Sequence, residues 1–330
     1  MRRIAASLLT LLLVVGPLTP AFAWGDKGHK TVGQIAQLRL TNTNTLNRIK
    51  AILRPGETLA SVSTWADRVK DERSFAPGAV HPDSDTQHFF RNLANQRNRR
   101  WHFVNLPLHC TGYDDIACKS FTSSSDIVHM INLSIRKLRG DNVPQLTQRN
   151  ALRLLVHLVG DLHQPLHVGV GFVNVDDDSN QILIEREPNR VRQNDFPSDL
   201  GGNKLLITGA ESDNLHSFWD TDLVEEGSGN QSVLQFATLL NSLIPAAPNW
   251  DAQGNVTTWS AQWASDSLQV SSQRAYDNTI RLRKVVIIDD EPKYRTTRGN
   301  NYTSQNIPVV KLQLEKGGYR LAKLLQAIFP

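Results

Sequence analysis

The chain has 330 residues, 40% apolar and 21% charged side chains, two cysteines and a formal net charge of +4. That is the composition of a globular protein with a sizeable core. A charge this small does not by itself imply a nucleic-acid binder, and the absence of linkers, repeats and low-complexity tracts argues for one domain.

The first element is a leader over residues 1–23. Arg2 and Arg3 form a short positive segment, Ile4 to Val15 is an apolar run, and Ala21-Phe22-Ala23 ends in the small residues that signal peptidase reads. The run is too short to span a bilayer, so the reading is export to the periplasm or medium without a membrane anchor. Cleavage after Ala23 leaves about 307 residues beginning at Trp24; two arginines are lost with no acid, so +4 falls to +2. Residues 24–330 are then expected to form the single catalytic domain.

Helical spacing of apolar residues predicts helices near 30–40, 58–70, 123–139, 148–163, 231–243, 258–284 and 309–328. The clearest strand signal is Ile182 to Glu187, which is expected to pair with Lys204 to Thr208 in one small hairpin. Asp71 to Arg100 and Asn174 to Leu200, with Asp176 to Asp178, read as irregular insertions. In an exported chain, Cys110 and Cys118 in "HCTGYDDIACKSF" read as a disulfide.

The most informative segment is "ALRLLVHLVGDLHQPLH", Ala151 to His167. Apolar residues surround it on nearly every face, so the helix is expected to be buried, yet His157 and Asp161 sit in its middle one turn apart. Burying such charges is costly unless they are paired or bound to metal. Pro165 should end the helix near Gln164 and leave His167 beyond it, with His163 placed to hydrogen-bond a ligand. His216 and Asp220 in "NLHSFWD" repeat the i, i+4 pair. Two such pairs suggest more than one metal, and imidazole with carboxylate but no thiolate suits catalytic zinc.

With "WGDKGH", "STWADRVK" and "RRWHFVN", these motifs resemble the exported trinuclear-zinc nucleases of the mung bean nuclease type, which share a superfamily with zinc-dependent phospholipase C. The resemblance implies a mainly α, single-domain helical fold, three zinc ions, and cleavage of single-stranded DNA and RNA to 5′-nucleotides, with 3′-nucleotidase activity and a monomeric state. It implies that one zinc takes Asp67, His102, His157 and Asp161, and a second takes His167, His216 and Asp220. A third takes the amino nitrogen and carbonyl of Trp24 with His29, and shares Asp161. A hydroxide bridging the first and third ions is expected to attack phosphorus, with the second stabilising the leaving oxygen.

Asp67 is expected to orient the attacking water as well as bind metal. Lys70 matches a position that reaches phosphate, or is a solvated lysine. Phe103 matches a base-stacking aromatic, or is a core residue, and Asn105 stands where some members carry a base-reading aspartate. Arg91, Arg97, Arg99 and Arg100 either hold nucleic-acid backbone or form a solvated face. A phospholipase C would typically end the ligand set with glutamate rather than Asp220, and a zinc-storing periplasmic protein would carry a His-rich loop; neither feature is present.

Overall fold

A computed structural model describes residues 24–70, 83–176, 181–191, 196–207 and 213–330. The expected leader, together with Asp177 and Asp178 of the acidic run, lies outside the described residues.

The chain opens with α1 (Asp26–Arg39) and α2 (Thr43–Ile52), then two single-turn helices, α3 (Leu59–Val62) and α4 (Trp65–Arg68). After α5 (Ser84–Arg91), 3-10 turns over Leu93–His102 lead into β1 (Leu106–Pro107). Two long helices follow, α6 (Ile127–Leu138) and α7 (Gln148–Leu162). Short strands come next: β2 (Gly169–Val170), β3 (Phe172–Asp176), β4 (Gln181–Glu185) and β5 (Leu205–Ile207). The chain then returns to helix in α8 (Leu215–Ser217), α9 (Leu223–Ser228), α10 (Val233–Leu243) and α11 (Val256–Val270). A hairpin of β6 (Arg281–Ile288) and β7 (Glu291–Thr297) precedes the terminal α12 (Tyr302–Ile328). The protein is mainly α with small sheets.

The centre of the molecule is α7. Every residue from Asn150 to Leu162 is buried, because α6 covers one side while α1, α3, α4 and α12 pack on the others. Thr147 starts the helix by accepting the N–H of Asn150 at 3.1 Å, and Pro165, which has no N–H to donate, opens a 3-10 turn over Pro165–His167. Each fully buried leucine of α7 contributes roughly 2 kcal/mol. That apolar surround is what makes the polar groups at His157 and Asp161 costly without partners. Between α1 and α12 the contact is close enough that a Cβ on Gly318 would stand 2.4 Å from Ile35. A glycine inside a helix costs about 1 kcal/mol against alanine; here it admits the neighbouring helix.

Several elements differ from the sequence reading, among them α5 (Ser84–Arg91), which makes Asp71 to Arg100 partly regular. The strand at Ile182 pairs with Phe172–Asp176 in an antiparallel hairpin, not with Lys204 to Thr208, so Asn174 to Leu200 is partly regular. Leu205–Ile207 instead joins a three-stranded sheet of order β5-β7-β6, parallel to β7. The helix expected over 258–284 ends at Val270, passes through a wide π-type turn over Ser271–Ala275, and gives way to β6. The run Val285-Val286-Ile287-Ile288 supplies the reason, since β-branched residues pack well on a pleated surface. The last helix starts at Tyr302 and runs through Pro308. No helix among the described residues is long and apolar enough to cross a membrane.

Candidate metal centre

Four chain segments converge on the middle and C-terminal end of α7. From α7 come His157 and Asp161, one turn apart and fully buried. On the single turn α4, Asp67 brings its Oδ1 to 3.6 Å from His157 Nε2. At the end of the 3-10 turns, His102 Nδ1 lies 2.9 Å from Asp161 Oδ2 and 3.0 Å from His157 Nε2. The first turns of α1 supply His29, whose Nε2 is 3.2 Å from the other oxygen of Asp161 and whose ring stacks on His157 at 3.9 Å.

Backbone contacts fix these side chains. His157 Nδ1 donates to the carbonyl of Ser63 at 2.6 Å, which turns its Nε2 toward the cluster. His167 Nδ1 donates to the carbonyl of His102 at 2.6 Å, and the parallel pairing of β1 with β2 ties those two segments together. His216 Nδ1 donates to Gly201 O at 2.8 Å, leaving Nε2 3.4 Å from Asp220 Oδ2. Asp220 stands on a π-type turn over Phe218–Asp222, a distortion frequent at functional sites.

These residues form three sets whose donor atoms lie within 4.8 Å of one another: His29, His157 and Asp161; Asp67, His102 and His157; His167, His216 and Asp220. Both nitrogens of His29, Asp161 Oδ1, His167 Nε2 and Asp220 Oδ2 are buried without a hydrogen-bond partner, and Asp67 Oδ1 meets only the ammonium of Lys70. Orphaned polar groups at this depth cost about 1 to 3 kcal/mol each. Clustered lone pairs of nitrogen and oxygen fit divalent cations.

The electrostatics favour the same use. Burial holds His29 and His167 below the usual imidazole range and drops His216 to about 3; burial and the ammonium of Lys70 take His102 to about 4. His157 is also lowered by burial, but Asp161 and Asp67 outweigh this and raise it. Asp67 resists its own desolvation and sits near 2 because His157, Lys70 and His102 surround it. Asp220 is pushed well up by burial. Neutral imidazoles beside a carboxylate are ready to ligate without first losing a proton.

Other expected residues fall as follows. Lys70 is not a solvated lysine: its Nζ pairs with Asp67 Oδ1 at 2.8 Å, at the rim of the cluster. Phe103 and Asn105 are half-buried on the segment leaving His102, so Phe103 is not a core aromatic. Arg91, Arg97, Arg99 and Arg100 are exposed, with Arg99 Nε donating to Lys70 O at 3.4 Å. Cys110 and Cys118 form a disulfide with Cα atoms 6.1 Å apart, which removes the thiolates a metal beside His109 would need. Trp24 is fully buried, its indole N–H donating to Gly160 O at 2.8 Å.

His163 does not support a ligand. Its Nδ1 donates to Val159 O at 2.7 Å and its Nε2 accepts from Arg320 at 3.2 Å, while burial and that guanidinium keep it neutral. The role falls to its neighbour Gln164, whose Nε2 donates to Asp220 Oδ1 at 2.6 Å. The chain leaves the helix at this point, so consecutive side chains diverge, and a glutamine just before Pro165 was the only available signal.

Shared, buried sets of imidazole and carboxylate at the heart of a helical fold define a metal-dependent hydrolase. The chain belongs to the S1/P1 nuclease family, whose model matches residues 24–330. It is similar to Endonuclease 3 of Arabidopsis thaliana, 27% identical over 98% of this chain and 94% of the relative. Nuclease S1 of Aspergillus oryzae is 27% identical over 93% of this chain and 92% of its own length. Nuclease P1 of Penicillium citrinum is 24% identical over 92% and 97% respectively. The protein is a hydrolytic nuclease.

Proposed function

We propose that this nuclease is an exported, monomeric zinc enzyme that cleaves single-stranded DNA and RNA to 5′-nucleotides and removes phosphate from 3′-nucleotides. The observation that carries the reading is the set of buried, partnerless ligand atoms on His29, Asp161, His167 and Asp220, clustered with Asp67, His102, His157 and His216. Three zinc ions would be held by Asp67, His102, His157 and Asp161; by His167, His216 and Asp220; and by Trp24, His29 and Asp161. Zinc in such sites neutralises a phosphodiester and lowers the pKa of water to about 7.

The chain's own residues divide the remaining work. Asp67 orients the attacking water, while Lys70, already 2.8 Å from Asp67, meets the incoming phosphate as a point charge. Phe103 stacks a base, which grips a strand without reading its sequence, and Asn105 meets the edge of that base. Processing after Ala23 frees the amine of Trp24. Its burial, the indole bond to Gly160 and the bond from Gly25 N to Asp220 O at 2.8 Å support this role, because they hold the new terminus beside the cluster.

The test is release of acid-soluble nucleotide from single-stranded DNA by the processed protein. Activity should disappear with chelator and return with zinc. A folded, zinc-loaded sample that releases nothing overturns the reading.

A further inference from the structure

The β6–β7 hairpin carries a charge pattern that the metal centre does not use. From Arg281 to Arg298 it holds six cations, Arg281, Arg283, Lys284, Lys293, Arg295 and Arg298, against Asp289, Asp290 and Glu291 at its tip. That surplus of three exceeds the formal +2 of the whole chain from Trp24 onward. The register sorts the cations. Leu282, Val285, Tyr294 and Thr296 face the core, while Lys284 stands directly across from Arg295 on the outer face and Val286 across from Lys293. A bulge places Arg283 beside them, with its Nε donating to Thr297 Oγ1 at 3.2 Å.

Like charges directly opposite on neighbouring strands are destabilising. Among the described residues no carboxylate pairs with Lys284, Lys293 or Arg295. Protection of a sheet edge explains lysine on β6, which is an edge strand, but β7 is central, so edge protection does not account for its cations. The pattern fits a polyanion.

A groove completes the feature. Between the β3–β4 hairpin and β6 lies a cavity of about 760 Å³, whose lining holds three arginines, Arg186, Arg281 and Arg283, against one acid, Asp277, with apolar residues of β4 and β6 between them. Arg186 also binds Ser272 Oγ at 3.0 Å and the carbonyl of Tyr276, which fastens one wall to the other. The β3–β4 hairpin and the sheet that carries β6 both connect to the His167, His216 and Asp220 set. β3 begins five residues after His167, and β5, parallel to β7, leads through the Leu206–Asn214 bridge to the helix turn bearing His216. Arg298, at the base of the hairpin, lies 4.6 Å over the ring of Phe218, between His216 and Asp220.

We propose that the β4–β6 groove and the outer face of the β6–β7 hairpin bind the phosphate backbone of a single nucleic-acid strand leading away from the cleavage site. The inference rests on the nuclease reading. A charged track of this kind contacts phosphates without base readout, so it acts on long strands and not on minimal substrates.

The experiment compares the processed, zinc-loaded wild type with Arg283→Ser/Lys284→Ser/Arg295→Ser and with the single variant Lys284→Glu. Binding is read by anisotropy of a fluorescent, hydrolysis-resistant phosphorothioate strand of about twenty nucleotides, and turnover by cleavage of a dinucleotide. In the triple variant the strand's Kd should rise about tenfold and the slope of log K against log salt should shrink by about 2, three phosphates at roughly 0.7 each. Lys284→Glu should move both in the same direction, and dinucleotide KM should not change. Unchanged strand affinity and salt slope in either folded variant overturn the groove, and so does an equal loss on both substrates. If wild type cleaves neither substrate yet the strand-binding differences persist, the groove stands and the nuclease reading falls.

Discussion

The indole N–H of Trp24 donates to the carbonyl of Gly160 at 2.8 Å, and a Cβ on that same glycine would stand 2.8 Å from His29 Nδ1. One position of α7 therefore seats both the indole of Trp24 and a candidate ligand. Alanine in a helix interior normally stabilises by about 1 kcal/mol over glycine. Here Gly160→Ala is predicted to displace His29, lower bound zinc by about one equivalent and cut activity roughly 10- to 100-fold. Elemental analysis of the purified variant beside its turnover checks this. A variant that is more stable with full metal content would refute it.

Asp161 presents its two oxygens to different partners. Oδ2 meets His102 and His157 at 2.9 and 3.0 Å, and Oδ1 faces His29 at 3.2 Å. Asp161→Asn should therefore abolish activity and remove more than one equivalent of zinc, as measured after exhaustive dialysis. Loss of a single equivalent would sink the shared role.

What could be read in advance follows from how local each signal is. His157 with Asp161, and His216 with Asp220, each lie within five residues, so helical spacing already placed each pair together, and His167 follows just beyond the same helix. Asp67 and His102 carry no local pattern, and only the order of several motifs pointed to them. The strands failed for the opposite reason. Leu205–Ile207 finds its partner at Tyr294–Thr296, nearly ninety positions later, and nothing in three apolar residues specifies so distant a neighbour. Gln164 escaped notice because a glutamine has no signature until the carboxylate it meets is in view.

Gln164 gives the next prediction. Its amide donates to Asp220 at 2.6 Å while its carbonyl accepts from Leu166 N at 2.6 Å, so it orients Asp220 and shapes the turn carrying His167. Gln164→Leu should weaken metal affinity about 10- to 100-fold at the His167, His216 and Asp220 set and leave the other sets loaded. Competition with a graded chelator resolves the sets, and a uniform loss across all of them would contradict the assignment.

Asp199 predicts a pH dependence of stability. Its carboxyl is fully buried, with Oδ1 accepting from Gly171 N and Gly202 N at 3.1 Å and from Tyr276 OH at 3.0 Å, while Oδ2 has no partner. Burial outweighs these donors and raises the pKa from 3.8 to about 7. Between those values the native state binds the proton and the unfolded state does not. Stability attributable to this group therefore falls as pH rises from about 4 to about 7, and the penalty is complete above that. At about 1.4 kcal/mol per pKa unit, the full swing is about 4 kcal/mol. Asp199→Asn keeps an acceptor for the glycine amides but cannot ionise, so its unfolding free energy relative to wild type should improve by about 2 to 3 kcal/mol between pH 5 and pH 8, the part of the swing that falls in that range. Urea unfolding of both proteins with saturating zinc measures the difference. Parallel curves for wild type and variant across that range would show that Asp199 is ionised throughout, and that its three donors outweigh its burial.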